Sequence, residues 1–169
     1  IDSFGSILAR NLSIENEPTV SPGDLSTIAY TSGTTGHPKG AMQSHEAVIL
    51  NGSMTSHLHM RGPADTVVRA LPCPHVYANV LMTGMMMFGT KLILHKIFDV
   101  DTIFESIKAN KATIFDGVPT MYMFMLNSPN LKNADLSSLN RCYVGGQTMP
   151  VATMTAVERE FRVPLIELW

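Results

Sequence analysis

The sequence predicts an α/β protein: a layered, largely parallel sheet flanked by helices. Short β-branched or apolar runs alternate with apolar segments of helical length along most of the chain, which is the pattern of strand–helix–strand units. Gly, Pro, Asn and Asp cluster between these runs, where turns are needed. At 169 residues the chain suffices for one substantial core and not for two full domains.

Taken in order, the region before Leu25 lacks clear periodicity and is punctuated by Pro18, Pro22 and Gly23, so it reads as an irregular lead-in. Leu25 to Tyr30 is a strand leading into a Gly/Thr-rich loop, and Ala41 to Gln43 is a brief second strand. Ser44 suits an N-cap and Glu46 the positive end of the helix that follows, to about His59. Thr66 to Leu71 is a strand, Tyr77 to Phe88 an apolar helix expected to be buried, and Lys91 to His95 a strand. Asp99 caps a helix with Val100, Ile103, Phe104 and Ile107 on one face, while Glu105, Lys108 and Asn110 face out. Ala112 to Phe115 is a strand ending in an Asp116-Gly117-Val118-Pro119 turn, and Pro119 suits the first turn of a helix to about Asn127. A polar loop follows. Leu139 to Val144 is a strand, Pro150 opens a helix with Val151, Met154, Val157 and Phe161 inward, and Pro164 to Leu168 is the last strand.

Composition narrows the class. Apolar residues make up 45% and the net charge is −2, as in ordinary soluble globular proteins. No clustered Lys/Arg marks a nucleic-acid surface. Cys73 and Cys142 lie far apart and form no C-x-x-C pair, which fits a reducing compartment. A cytoplasmic setting is expected, with peripheral membrane contact left open. The most apolar stretch, Val76 to Thr90, falls short of the about 20 residues a membrane span requires. Starting on Ile1 and ending on Trp169, the sequence reads as residues 1–169 of a single partial domain cut from a longer chain.

The densest chemistry lies in Tyr30-Thr31-Ser32-Gly33-Thr34-Thr35-Gly36-His37-Pro38-Lys39-Gly40. Its glycines permit positive φ and close backbone approach to a ligand. Successive N–H groups in such a turn face a concavity that attracts anions. The hydroxyls of Thr31, Ser32, Thr34 and Thr35 add donors, and Lys39 adds a positive charge. A flexible linker needs neither the proline nor the lysine. The Walker pattern G-x-x-x-x-G-K-[ST] fails too, because Pro38 stands where its second Gly belongs and Gly40 follows Lys39. The set suits a phosphate chain. In a largely parallel sheet, ligands bind beyond the carboxyl ends of strands. The loops at Thr31–Gly40, Pro72–Tyr77, Gly117–Pro119 and Gly145–Thr148 are therefore expected to converge there.

The Tyr30–Gly40 stretch closely resembles the signature of the acyl-adenylate-forming superfamily, which includes acyl-CoA synthetases, 4-coumarate–CoA ligase, luciferases and peptide-synthetase adenylation domains. Three further stretches agree in order: Leu71-Pro72-Cys73-Pro74-His75-Val76-Tyr77, Gly117-Val118-Pro119-Thr120 and Val144-Gly145-Gly146-Gln147-Thr148-Met149-Pro150. The resemblance covers nearly the whole chain from Asp24 onward. It implies that a carboxylic acid is activated by Mg-ATP to acyl-AMP and pyrophosphate, and that the acyl group then passes to coenzyme A.

By that resemblance Thr31, Ser32, Gly33, Thr34, Thr35, Gly36 and Lys39 hold the ATP phosphates, with Thr35 also near Mg2+. His75, Tyr77 and Gly145 would wall the acyl tunnel. Gly146, Gln147, Thr148, Glu167, Leu168 and Trp169 would border the adenine and acyl-adenylate, and Lys96 would touch coenzyme A. The family's magnesium glutamate, ribose aspartate and lid lysine are expected outside this sequence, so the piece alone is expected to be inactive.

For single residues a plainer reading stands beside the functional one. His75 also fits a loop histidine satisfied by backbone. Cys73 and His75 are too few for a metal site. The helical methionines Met82, Met85, Met86, Met87, Met121, Met123 and Met125 also fit adaptable core filler. Along the chain only Arg141 lies near Gly145–Thr148, which disfavours a dicarboxylate substrate. The expected substrate is a small fatty or aromatic acid, and a homo-oligomer is left open. Two alternatives remain: an amino-acid-activating or luciferase-like enzyme, and a non-catalytic nucleotide-binding or interaction fragment. The first is disfavoured because Ala78, Asn79 and Val80, and no aspartate, follow Tyr77.

Overall fold

The structure is a computed structural model, and it describes residues 6, 9–10, 18–31 and 36–168. Its strands are β1 (Leu25–Thr31), β2 (Lys39–Ser44), β3 (Thr66–Arg69), β4 (Lys91–Leu94), β5 (Ile114–Gly117), β6 (Arg141–Val144) and β7 (Leu165–Glu167). Its helices are α1 (His45–Leu58), α2 (Val76–Phe88), α3 (Val100–Asn110), α4 (Pro119–Asn127) and α5 (Val151–Phe161). β3 to β7 form a five-stranded sheet in the order β4-β3-β5-β6-β7, parallel throughout. The α/β class and the parallel sheet are as expected from the sequence.

Local chemistry explains the element boundaries. The Ser44 hydroxyl accepts from the Ala47 N–H at 3.2 Å and starts α1. Asp99 accepts from the Thr102 hydroxyl at 2.7 Å and from its N–H at 2.9 Å; the two bonds, the hydroxyl's foremost, hold its carboxyl below the usual range, and the second starts α3. Pro119 occupies the first turn of α4. Gly89 closes α2 at φ 69°, a left-handed conformation that glycine enters without strain. In α3, Ile103, Phe104 and Ile107 are buried as the periodicity predicts.

Connectivity sets the layers. Leu81 and Met85 of α2 pack with Val67, Ile114 and Tyr143 on one face of the sheet. Residues of α3, α4 and α5, among them Ile107, Tyr122 and Phe161, pack with Val68, Phe115 and Cys142 on the other. The chain thus runs from β3 to β4 across one face and returns from β4 to β5 across the opposite face. Winding in opposite directions on opposite faces keeps both crossovers the same hand. The crossovers leaving β3 and β5 therefore run to opposite sides, and the chain order reverses between these two neighbouring strands.

Several expectations are corrected. β1 does not lie in the parallel sheet; it pairs antiparallel with β2 in a separate two-stranded sheet, with Thr31 opposite Lys39. The Thr31–Gly40 segment is therefore a hairpin connection and not a strand-to-helix loop, and Lys39 and Gly40 belong to β2. Asp116 and Gly117 lie within β5 and not in the turn after it, because Asp116 finds a buried partner there. Helix α2 is only half covered: Ala78, Leu81, Gly84 and Met85 are buried, while Met86 is 70% exposed. The polar segment after α4 contains a 3-10 turn, Pro129–Asn133.

Candidate functional site

The carboxyl ends of the parallel strands bring three of the four motifs together. Beyond β3 runs Ala70–His75, beyond β5 the Val118–Pro119 step into α4, and beyond β6 the Gly145–Pro150 loop. The Gly145 N–H donates to the Gly117 carbonyl at 3.3 Å, joining two of these turns. Tyr77, in the first turn of α2, lies flat enough against Gly145 that a Cβ there would meet its ring Cζ at 3.1 Å. Gly146 adopts φ 85° and packs beside Val118, so the loop needs glycine for its turn. Gln147 and Thr148 are exposed at its crest, and Met149 is buried. This crevice lies where the strand order reverses, the place at which open α/β sheets bind ligands.

His75 is satisfied by a backbone group, as its plainer reading expects, and serves as a helix cap. Its Nδ1 accepts from the Tyr77 N–H at 3.2 Å and caps α2, so the neutral ring carries its proton on Nε2. The imidazole is exposed beside Pro74. Glu167, at the end of β7, accepts the Met149 N–H at 2.8 Å. The Leu168 N–H reaches the Val144 carbonyl at 2.8 Å, carrying the ladder past the strand. Lys96 is exposed just beyond edge strand β4, on the far side of β3 from β5. Thr31, Gly36 and Lys39 are exposed in the hairpin, with Gly36 at φ 84°. Ser32, Gly33, Thr34, Thr35 and Trp169 lie outside the described residues. The contacts described join the hairpin to α1 and α1 to α2.

Under the crevice lies a charged layer that sequence reasoning missed. Arg69, Asp116 and Tyr143 are register partners across β3, β5 and β6, all fully buried on the face toward α2. The Arg61 guanidinium grips Asp116 with two bonds, Nη1 to Oδ2 at 3.0 Å and Nη2 to Oδ1 at 2.7 Å. Burial opposes the charge on Arg61, and the Asp116 carboxylate more than offsets it, so its pKa is raised. Arg69 donates to the Ala78 carbonyl at 3.0 Å, and burial outweighs Asp116 there, lowering its pKa.

The sequence reading found only Arg141 near the site; the fold places Arg61 and Arg69 within electrostatic reach of Tyr77. Arg141 itself is occupied at the opposite end of β6, by the Met60 carbonyl and by Asp65 at 2.8 Å each. Burial pushes the Tyr77 phenol well up, and its hydroxyl has no partner among the described residues. His59 stacks on Tyr143 at 4.6 Å, and burial, helped by Arg61, lowers its pKa to about 4. A signal for this layer existed: Arg69 at the end of β3 and Asp116 one residue before the end of β5 interrupt largely apolar runs.

These motifs and their meeting place match a known family. The family model described as AMP-binding enzyme matches residues 5–169. The chain belongs to the AMP-binding enzyme family. Among curated proteins, this AMP-binding chain is 33% identical over 169 residues to indoleacetate–CoA ligase of Aromatoleum aromaticum, covering 99% of the chain and 33% of that protein. It is 33% identical over 147 residues to a long-chain-fatty-acid–CoA ligase of Bacillus subtilis, covering 85% of the chain and 26% of that protein. Among solved structures, the N-terminal domain of FACL13 from Mycobacterium tuberculosis superposes with a TM-score of 0.83 at 29% identity, over 98% of this chain and 42% of that one. ATP-bound MatB from Rhodopseudomonas palustris gives 0.78 at 30% identity, over 87% of this chain and 29% of that one. The AMP-binding chain thus spans a quarter to a third of these two curated relatives. Among the described residues no helix is long and apolar enough to cross a membrane.

Proposed function

We propose that the protein carrying this chain is an acid–CoA ligase that activates a fatty or aromatic carboxylic acid with ATP. The observation that carries this reading is the meeting of Tyr77, Gly117 and Gly145–Met149 at the reversal of strand order, in a chain matched to the AMP-binding family from residue 5 to 169. In the first step a carboxylate oxygen attacks the α-phosphorus of Mg-ATP. The bond to the bridging oxygen breaks, and pyrophosphate leaves with its electron pair. In the second, the coenzyme A thiolate attacks the acyl carbonyl and AMP departs.

Negative charge moves onto the phosphate chain in the first step, so donors fixed in advance lower the barrier. In this reading Thr31, Ser32, Gly33, Thr34, Thr35, Gly36 and Lys39 would supply them, and Mg2+ would arrive with ATP, with Thr35 as a further contact for it. Gly146, Gln147, Thr148, Leu168 and Trp169 border the nucleotide. His75, Tyr77 and Gly145 wall the acyl group; a partnerless buried phenol suits a wall and not a proton carrier. Lys96 is the contact proposed for coenzyme A.

ATP–pyrophosphate exchange by the full-length protein across a panel of acids tests the reading: exchange should depend on the acid, and its absence with every acid would refute it. Lys39→Ala should raise the KM for ATP about tenfold, and unchanged kinetics would remove Lys39 from the phosphates. The isolated chain should bind ATP weakly; low-micromolar affinity would contradict the view that the remaining ligands lie elsewhere in the protein.

A further inference from the structure

We infer that Glu167 is a positioning residue: its carboxylate holds the Gly145–Met149 loop in shape. The inference rests on the proposed ligase reading only for what that loop meets. Met149 directly precedes Pro150, which has no N–H and caps α5 without a side-chain hydrogen bond. The Met149 N–H is therefore the last backbone donor before α5, and Met149 is 2% exposed, out of reach of water. An unmatched buried N–H is costly, so it needs an acceptor. Glu167 Oε1 provides one at 2.8 Å, and a carboxylate is also the group favoured beside a helix N-terminus.

The loop is thereby closed at both ends. On the upstream side the Gly145 N–H is tied to the Gly117 carbonyl, and the Val144 carbonyl accepts from the Leu168 N–H. On the downstream side Glu167 holds Met149. Between them Gly146 turns at φ 85°, and Gln147 and Thr148 stand exposed. Without the downstream tie this glycine-bearing turn is free to sample other shapes, and a ligand must reorder it on binding.

The test compares Glu167→Gln with Glu167→Ala in the full-length protein. Glutamine keeps an oxygen that can accept from Met149; alanine keeps none. Hydrogen exchange of the Met149 amide, measured without nucleotide and referenced to Tyr143 and Val144 in β6, should be about tenfold faster or more in the alanine variant, and close to wild type in the glutamine variant. The KM values for ATP and acid should rise about tenfold in Glu167→Ala, with a smaller change in kcat, and should be restored by glutamine. Unchanged Met149 exchange in Glu167→Ala, or glutamine behaving like alanine, would overturn the inference. The exchange measurement needs no turnover, so a protein without acid-dependent activity would sink the ligase reading while leaving this one to be decided by exchange.

Discussion

Replacing Asp116 by alanine removes the single carboxylate from a layer that also buries the Arg61 and Arg69 guanidiniums. The Arg61 and Asp116 side chains are 1% and 0% exposed, and two bonds of 3.0 and 2.7 Å join them. Breaking such a pair from one side leaves a buried charge with no counter-ion, which costs about 3–5 kcal/mol. With a urea m value near 2 kcal/mol/M for a domain of this size, the unfolding midpoint should fall by about 1.5–2.5 M. Arg69 makes the loss worse, since Asp116 also offsets its charge. Removing both charges of the pair, in Arg61→Met with Asp116→Leu, should recover the part of the loss due to Arg61 and leave the part due to Arg69, because matched apolar groups replace a buried pair at little cost. A midpoint shift below about 0.5 M for Asp116→Ala, or a double variant no better than the single, would refute the claim that the pair is desolvated and mutually dependent.

Tyr122 donates to the Phe115 carbonyl at 3.1 Å and the Tyr143 carbonyl at 2.8 Å from a fully buried position. Tyr122→Phe should destabilise by about 1–3 kcal/mol in urea unfolding. His59 is held neutral, its folded pKa lowered from 6.5 to about 4. Its contribution is therefore complete above pH 6.5 and is lost as the pH falls toward 4, and His59→Phe should flatten the urea midpoint over that window. Gly145→Ala places a methyl 3.1 Å from the Tyr77 ring, so the acid KM should rise most for the bulkiest acids of a panel, and an even rise across the panel would contradict the wall. Gly84→Ala sets a methyl 2.1 Å from Ser56 Oγ and 2.7 Å from the Gly52 carbonyl oxygen. It should lower the thermal midpoint and raise the KM for ATP more than that for the acid.

What was legible in the sequence follows the range of the interactions involved. The Ser44 and Asp99 caps, Pro119 at a helix start and the buried face of α3 are decided within a turn or two, and each stands as the local pattern predicts. The Arg61–Asp116 pair spans 55 positions, and no local rule announces it; reading Asp116 as a turn residue was the natural error. The choice of partner for β1 is likewise non-local. A short apolar run before a Gly-rich loop looks the same whether it joins a parallel sheet or folds back on β2. The backbone bond of His75 was legible, but not its place at a helix start, where Ser, Thr, Asp and Asn prevail over imidazole.

The division into two sheets has a mechanical consequence for the proposed reaction. The hairpin belongs to β1 and β2, while the crevice belongs to the parallel sheet, so among the described residues no strand pairing fixes one against the other. Their relation runs through helices: α1 carries the hairpin, with the His45 and Glu46 N–H groups bonded to the Asp24 and Pro22 carbonyls, and α1 lies along α2. That helix contact is made at glycine, where Gly84 leaves no room for a side chain against Gly52 and Ser56. Helix α2 in turn begins at the His75 cap and presents Tyr77 to Gly145. A displacement of α1 by the width of a methyl group would leave the crevice intact and move the hairpin. In the proposed ligase that is a loss of alignment between the phosphates and the acyl carboxylate, and such misplacement is costly to a reaction that depends on in-line approach.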